Sequence, residues 1–113
     1  MNDNNPEMMM TELTGKILAI LLTGTTHYVD VGKGTDAVIY YATPTEAHMT
    51  LPDGPTWAGA WSMTGAGYTV AWNGGPTGEW KIGYETGVFT YIGPDGKPAG
   101  TITKIVPGNP EKF

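Results

Sequence analysis

The chain has 113 residues, enough for one domain with a real core, and its 17 glycines and 9 prolines make up nearly a quarter of it. That composition excludes a helix bundle and suits many short strands joined by tight turns. A formal charge of −5, with the six Lys/Arg residues scattered, excludes the basic footprint of a nucleic-acid or anionic-membrane binder, and the absence of cysteine excludes disulfides, thiolate nucleophiles and Cys-based metal sites.

Residues 1–10 are polar and then Met-rich, with Pro6 among them, and read as a tail. Thr11 followed by Glu12 reads as an N-cap with an acidic first turn, and Leu13, Ile17, Ile20 and Leu21 recur at helical spacing up to Thr23-Gly24. One short helix with one apolar face is predicted. Its apolar run, Ile17 to Leu22, is far too short to span a bilayer, and Asp3, Glu7 and Glu12 are the wrong flanks for a signal peptide. The expectation is a soluble, cytoplasmic protein, with an exported mature chain whose signal has been removed as the alternative.

From residue 26 the period changes to two. Apolar segments at His27–Val31, Ala37–Ala42, Glu46–Leu51, Trp57–Met63, Gly67–Asn73, Gly78–Tyr84, Val88–Ile92 and Gly100–Ile105 alternate with turn signals at intervals of about ten residues. Turns such as Asp53-Gly54-Pro55, Asn73-Gly74-Gly75-Pro76 and Asp95-Gly96 supply positive φ or a preset proline angle for hairpins. Connections this short exclude parallel crossovers, so the fold class is all-β: an antiparallel meander of about eight strands that closes into a barrel over residues 11–106. Residues 107–113 are expected to trail off as a C-terminal tail.

Alternation puts Trp57, Gly59, Trp61 and Met63 on one face, then Tyr68, Val70 and Trp72, then Trp80, Ile82 and Tyr84. His27 shares a face with Val29 and Val31, whereas His48 lies opposite Ala47, Met49 and Leu51. The inner face is therefore strongly aromatic, with His27 as its polar member. Trp57, Trp61, Tyr68, Trp72, Trp80 and Tyr84 either fill a small core or wall a pocket for a flat or apolar molecule, and Ala58, Gly59 and Ala60 leave room beside the rings.

The glycines sit at strand ends with no following helix, so no phosphate loop is present, and Ser62 lies inside a strand rather than on a nucleophile elbow. His27, Asp30, Glu46 and His48 are the one set with metal-ligand chemistry, but His27 and Asp30 point to opposite faces, and no metal is expected. A cofactor-free acid/base site needs only His27 with Tyr40, Tyr68 or Tyr84 in a dry pocket.

From about Leu13 onward the chain resembles a lipocalin-like (calycin-type) family of small bacterial proteins of unknown function. The resemblance lies in the helix followed by Leu22-Thr23-Gly24-Thr25-Thr26, in Tyr40-Tyr41-Ala42, in Gly59-Ala60-Trp61 and in Trp72 through Gly78-Glu79-Trp80. It closes with Asp95-Gly96 to Thr101 and Ile105-Val106-Pro107-Gly108-Asn109-Pro110. It implies a calycin-type barrel and brings no established activity, so no catalytic residue is carried over. Members are often exported and have cysteines in the later strands, where this chain has none.

The sequence thus supports binding of a small apolar or aromatic molecule in the barrel, with no cofactor, no nucleic acid and no membrane as partner. The alternative is a cofactor-independent isomerase or lyase using His27, Tyr40 or Tyr84 as acid/base. So much apolar surface on so small a barrel also suits a homo-oligomer.

Overall fold

The computed structural model describes residues 10–113. The order of elements is β1 (Thr11–Leu13), α1 (Gly15–Leu22), β2 (Thr25–Asp30), β3 (Ala37–Tyr41), β4 (Glu46–Thr50), β5 (Thr56–Met63), β6 (Tyr68–Trp72), β7 (Thr77–Glu85), β8 (Val88–Ile92) and β9 (Pro98–Pro107). Each strand from β2 to β9 pairs antiparallel with the next, and β9 returns to pair with β2, so eight strands close a barrel. The predicted all-β meander is the observed fold. Among the described residues no helix is long and apolar enough to cross a membrane.

The ninth strand was not foreseen. Thr11–Leu13 forms β1 and pairs with Ile82–Tyr84 of β7, where the sequence suggests a helix N-cap at Thr11. The cause is a mismatch of lengths. β7 runs nine residues, but β6 pairs only with Thr77–Trp80, so the far half of one β7 edge would be left without hydrogen-bond partners. β1 supplies those partners, since unpaired backbone groups at a sheet edge are costly. Lys81 Nζ lies 3.8 Å from Glu12 Oε1 across the same edge.

The helix consequently starts later, at Gly15, with Thr14 as N-cap, and presents a different face. Leu18 and Leu22 are fully buried, whereas Ile17 is 67% and Ile20 76% exposed. A run that is apolar on every side, Ile-Leu-Ala-Ile-Leu-Leu, carries no periodicity that could choose between faces. Leu18 and Leu22, one turn apart, join the core cluster with Tyr41, Trp61, Tyr68 and Ile82 and plug one end of the barrel.

Strand direction alternates around the barrel, so the two ends differ. The plugged end holds α1 and the β3–β4, β5–β6 and β7–β8 turns. The other end carries the β2–β3, β4–β5, β6–β7 and β8–β9 connections, and among the described residues no helix covers it.

The C-terminal residues pack on the barrel wall rather than trailing off. β9 extends to Pro107, Gly108 N–H donates to Gly24 O at 2.8 Å, and Gly108 O accepts from the Thr26 hydroxyl at 2.7 Å. The Phe113 ring then stacks on Tyr40 and His48, with centroids 6.3 and 5.9 Å away. The Tyr28 hydroxyl donates to the Glu111 carboxylate, which ties the same segment to β2.

Candidate functional site

Between the plugged end and the open end the barrel divides into a packed half and a hollow half. Where β2 begins, His27 faces inward and is fully buried. Its Nε2 lies 2.9 Å from Leu21 O, a carbonyl that can only accept, so Nε2 carries the ring proton. His27 thereby caps the C-terminus of α1, together with the Thr25 hydroxyl, which lies 2.7 Å from both Leu21 O and Leu22 O.

The other ring nitrogen, Nδ1, is 2.9 Å from the Tyr91 hydroxyl. Burial away from water, opposed by the hydrogen bond to Leu21, pulls the His27 pKa from 6.5 to about 4, so the imidazole is neutral and Nδ1 accepts. The directions of the remaining bonds follow. Tyr91 spends its hydrogen on His27, so across 2.7 Å its oxygen accepts from Tyr41. Tyr41 has then spent its own hydrogen, so across 3.1 Å it accepts from Tyr68. The chain runs Tyr68 to Tyr41 to Tyr91 to His27 to Leu21 O in a single sense. Burial raises all three phenol pKa values well above 10, which keeps the network uncharged.

Above this network lies a cavity of about 290 Å³. Tyr41, Tyr68 and Tyr91 form its floor, and Val29, Ile39, Met49 and Val70 its sides. Trp57, Trp72 and Trp80 contribute the aromatic part of the wall, and Val31, Leu51, Pro76 and Ala99 its rim at the open end. Among the described residues no charged side chain is part of this wall. The indole N–H of Trp57 is buried without a hydrogen-bond acceptor, the one such side-chain atom among the described residues.

Two tryptophans of the wall depend on a missing side chain beside them. A Cβ on Gly59 would meet Ala71 O at 2.5 Å and Trp72 Cε3 at 2.9 Å, and one on Gly75 would meet Trp57 Cζ3 at 2.7 Å. Glycine at these positions lets the Trp72 and Trp57 rings approach the backbone closely.

The residues expected to form the site separate accordingly. Trp57, Tyr68, Trp72 and Trp80 line the cavity. Trp61 does not: it lies in the packed half, where its Nε1 donates to Thr43 O at 2.8 Å and Glu46 O at 3.1 Å and secures the β3–β4 turn. Tyr84 shares the face of Ile82 but stands at the far end of β7, where it is 37% exposed and packs on Phe89, so it belongs neither to the wall nor to an acid/base pair.

Tyr40 also parts company with His27. It points to the outer face, where it stacks on His48 at 6.2 Å, while its neighbour Tyr41 takes the inward place. The tyrosines that do join His27 are Tyr41, Tyr68 and Tyr91. Alternation alone could have found Tyr41, since it shares a face with Ile39 in β3. Tyr91 gave no such signal, because Val-Phe-Thr-Tyr-Ile alternates weakly. Both nitrogens of His27 are engaged within the protein, and His27 is not part of the cavity wall.

His27 lies inside the barrel and His48 outside, on opposite sides of the wall. Among the described residues no group of three or more His, Asp or Glu side chains is placed to hold a metal ion. Comparison of the chain with protein-family models, curated proteins and solved structures gives no match, so the site is read from its geometry.

Proposed function

We propose that this protein binds a small apolar or aromatic molecule in the hollow half of its barrel. The observation that carries this reading is the cavity of about 290 Å³, walled by aliphatic and aromatic side chains and placed at the end opposite α1. Its volume stands near the lower bound of about 300 Å³ for small-molecule sites, which suits a ligand of one to three fused rings or a short hydrocarbon chain. A core built only for stability would be packed to crystal-like density. Here Leu18, Leu22, Trp61 and Tyr41 are buried in one core cluster, and an apolar space is left above the tyrosines.

The same division of a barrel into a plugged end and an open cup fits the calycin-type resemblance of the sequence, and membership of that family is part of this proposal. The hydrogen-bonded network supports a binding role over acid/base catalysis, because it fixes the floor in one arrangement and leaves no ring nitrogen free to exchange a proton with a ligand.

Three of the four tryptophans line the cavity, so their fluorescence is the direct reporter. Titration with a panel of neutral aromatic compounds is expected to quench it saturably for at least one member. A linear, unsaturable response across the whole panel would reject the reading.

A further inference from the structure

We propose that the cavity discriminates by charge, accepting uncharged apolar molecules and rejecting carboxylates built on the same skeleton. This deepens the binding reading above and rests on it. The first observation is the wall itself, which among the described residues holds no lysine, arginine or histidine to act as counter-ion. An ionised carboxylate moved from water into such surroundings loses several kcal/mol of hydration that only pairing or multiple hydrogen bonds can return.

The second observation is the direction of the floor network. An anion needs hydrogen-bond donors, yet the hydroxyl hydrogens of Tyr68, Tyr41 and Tyr91 are each committed to the next member, leading away from the cavity toward His27 and Leu21 O. The Tyr41 and Tyr91 hydrogens are locked in place, and only the terminal Tyr68 hydroxyl could turn to a ligand, giving up its bond to Tyr41 for one neutral donor. Reversing the sense of the chain would require Nδ1 of His27 to donate, which needs a protonated imidazole where burial holds the ring neutral down to about pH 4. The one unpartnered buried donor among the described residues, Trp57 Nε1, is a single neutral N–H, too little to replace the hydration of a carboxylate.

The third observation concerns the mouth. The connections around the open end carry Asp36, Asp53 and Asp95 against Lys33 and Lys97, on a chain whose formal charge is −5, so no positive potential draws an anion in.

The test is isothermal titration calorimetry with a matched pair, 2-naphthalenemethanol and 2-naphthoate, at pH 7 and pH 5. The alcohol is expected to bind with the same affinity at both pH values. The acid is expected to bind at least about a hundredfold more weakly than the alcohol at pH 7 and to gain about tenfold per pH unit on acidification. That gain follows the neutral fraction of a carboxylic acid with a pKa of about 4. Naphthoate binding within threefold of the alcohol at pH 7, or with an affinity independent of pH, would overturn charge discrimination and leave the pocket standing. Binding of neither compound at either pH, together with no response to the neutral aromatic panel, would overturn the pocket and the discrimination together.

Discussion

Tyr91 donates its hydroxyl hydrogen to Nδ1 of His27 across 2.9 Å, and this bond joins the floor of the cavity to the helix that plugs the barrel. On the far side of the ring, Nε2 holds the last turn of α1 through Leu21 O, so one imidazole secures both halves of the molecule. Its neutrality is a condition of the arrangement, because a proton on Nδ1 would meet the Tyr91 hydroxyl hydrogen already aimed at that nitrogen.

Acid should therefore weaken the fold through this residue. The folded-state pKa, about 4, lies below the unfolded value of 6.5, so between these limits the unfolded chain binds the proton first. Stability from His27 is complete above pH 6.5, falls as the pH drops toward 4, and falls no further below that. The span corresponds to about 3 kcal/mol. Urea denaturation of the wild type and of His27→Gln, which keeps one donor and one acceptor, measures the difference. The wild type should show the steeper loss between pH 6.5 and 4, and parallel slopes would contradict the assignment.

The single sense of the tyrosine chain ranks two otherwise similar substitutions. Tyr91→Phe removes the donor to His27 and the acceptor for Tyr41, leaving two buried groups unpaired, and should cost about 1–3 kcal/mol. Tyr68→Phe removes only a terminal donor, after which Tyr41 still donates to Tyr91, and should cost about 1 kcal/mol or less. Equilibrium denaturation of the pair checks the order, and a larger loss for Tyr68→Phe would mean that the chain runs the other way.

Gly59 sets the position of Trp72. In Gly59→Ala the new methyl would meet backbone at Ala71 O and the Trp72 ring, so strand or indole must move. A loss of about 1–3 kcal/mol is expected, with a changed near-ultraviolet dichroism from the displaced ring. A variant with wild-type stability and spectrum would show that the contact is relieved without cost.

The period-two pattern and the spacing of turns made the barrel legible, because each strand buries one face and each connection needs its own glycine or proline chemistry. The same alternation placed Trp57, Trp72 and Trp80 on the inner face, where they line the cavity. It could not say how far along the barrel axis a residue sits. Trp61 and Tyr84 share faces with wall residues, yet lie in the packed half and at the strand's far end. Nor could it reveal β1, whose strand conformation comes from the unpaired edge of β7, some seventy residues away, rather than from Thr-Glu-Leu itself. Tyr40 and Tyr41 show the limit most sharply. They are adjacent, chemically identical and on opposite faces, and only the inward one, which shares a face with Ile39, joins the network that reaches His27 through Tyr91.

Whether the barrel is a cup or a core is tested most directly by titrating the neutral fluorophore N-phenyl-1-naphthylamine into the wild type and into Val70→Phe. Val70 is buried and lines the cavity, so the larger ring should occupy free space rather than overpack, leaving the thermal midpoint near that of the wild type. The expected result is one-site, saturable binding to the wild type that is lost, or weakened at least about tenfold, in the filled variant, equivalent to about 1.4 kcal/mol. Failure of the wild type to bind, or equal affinity in the two proteins, would contradict a ligand site in the barrel.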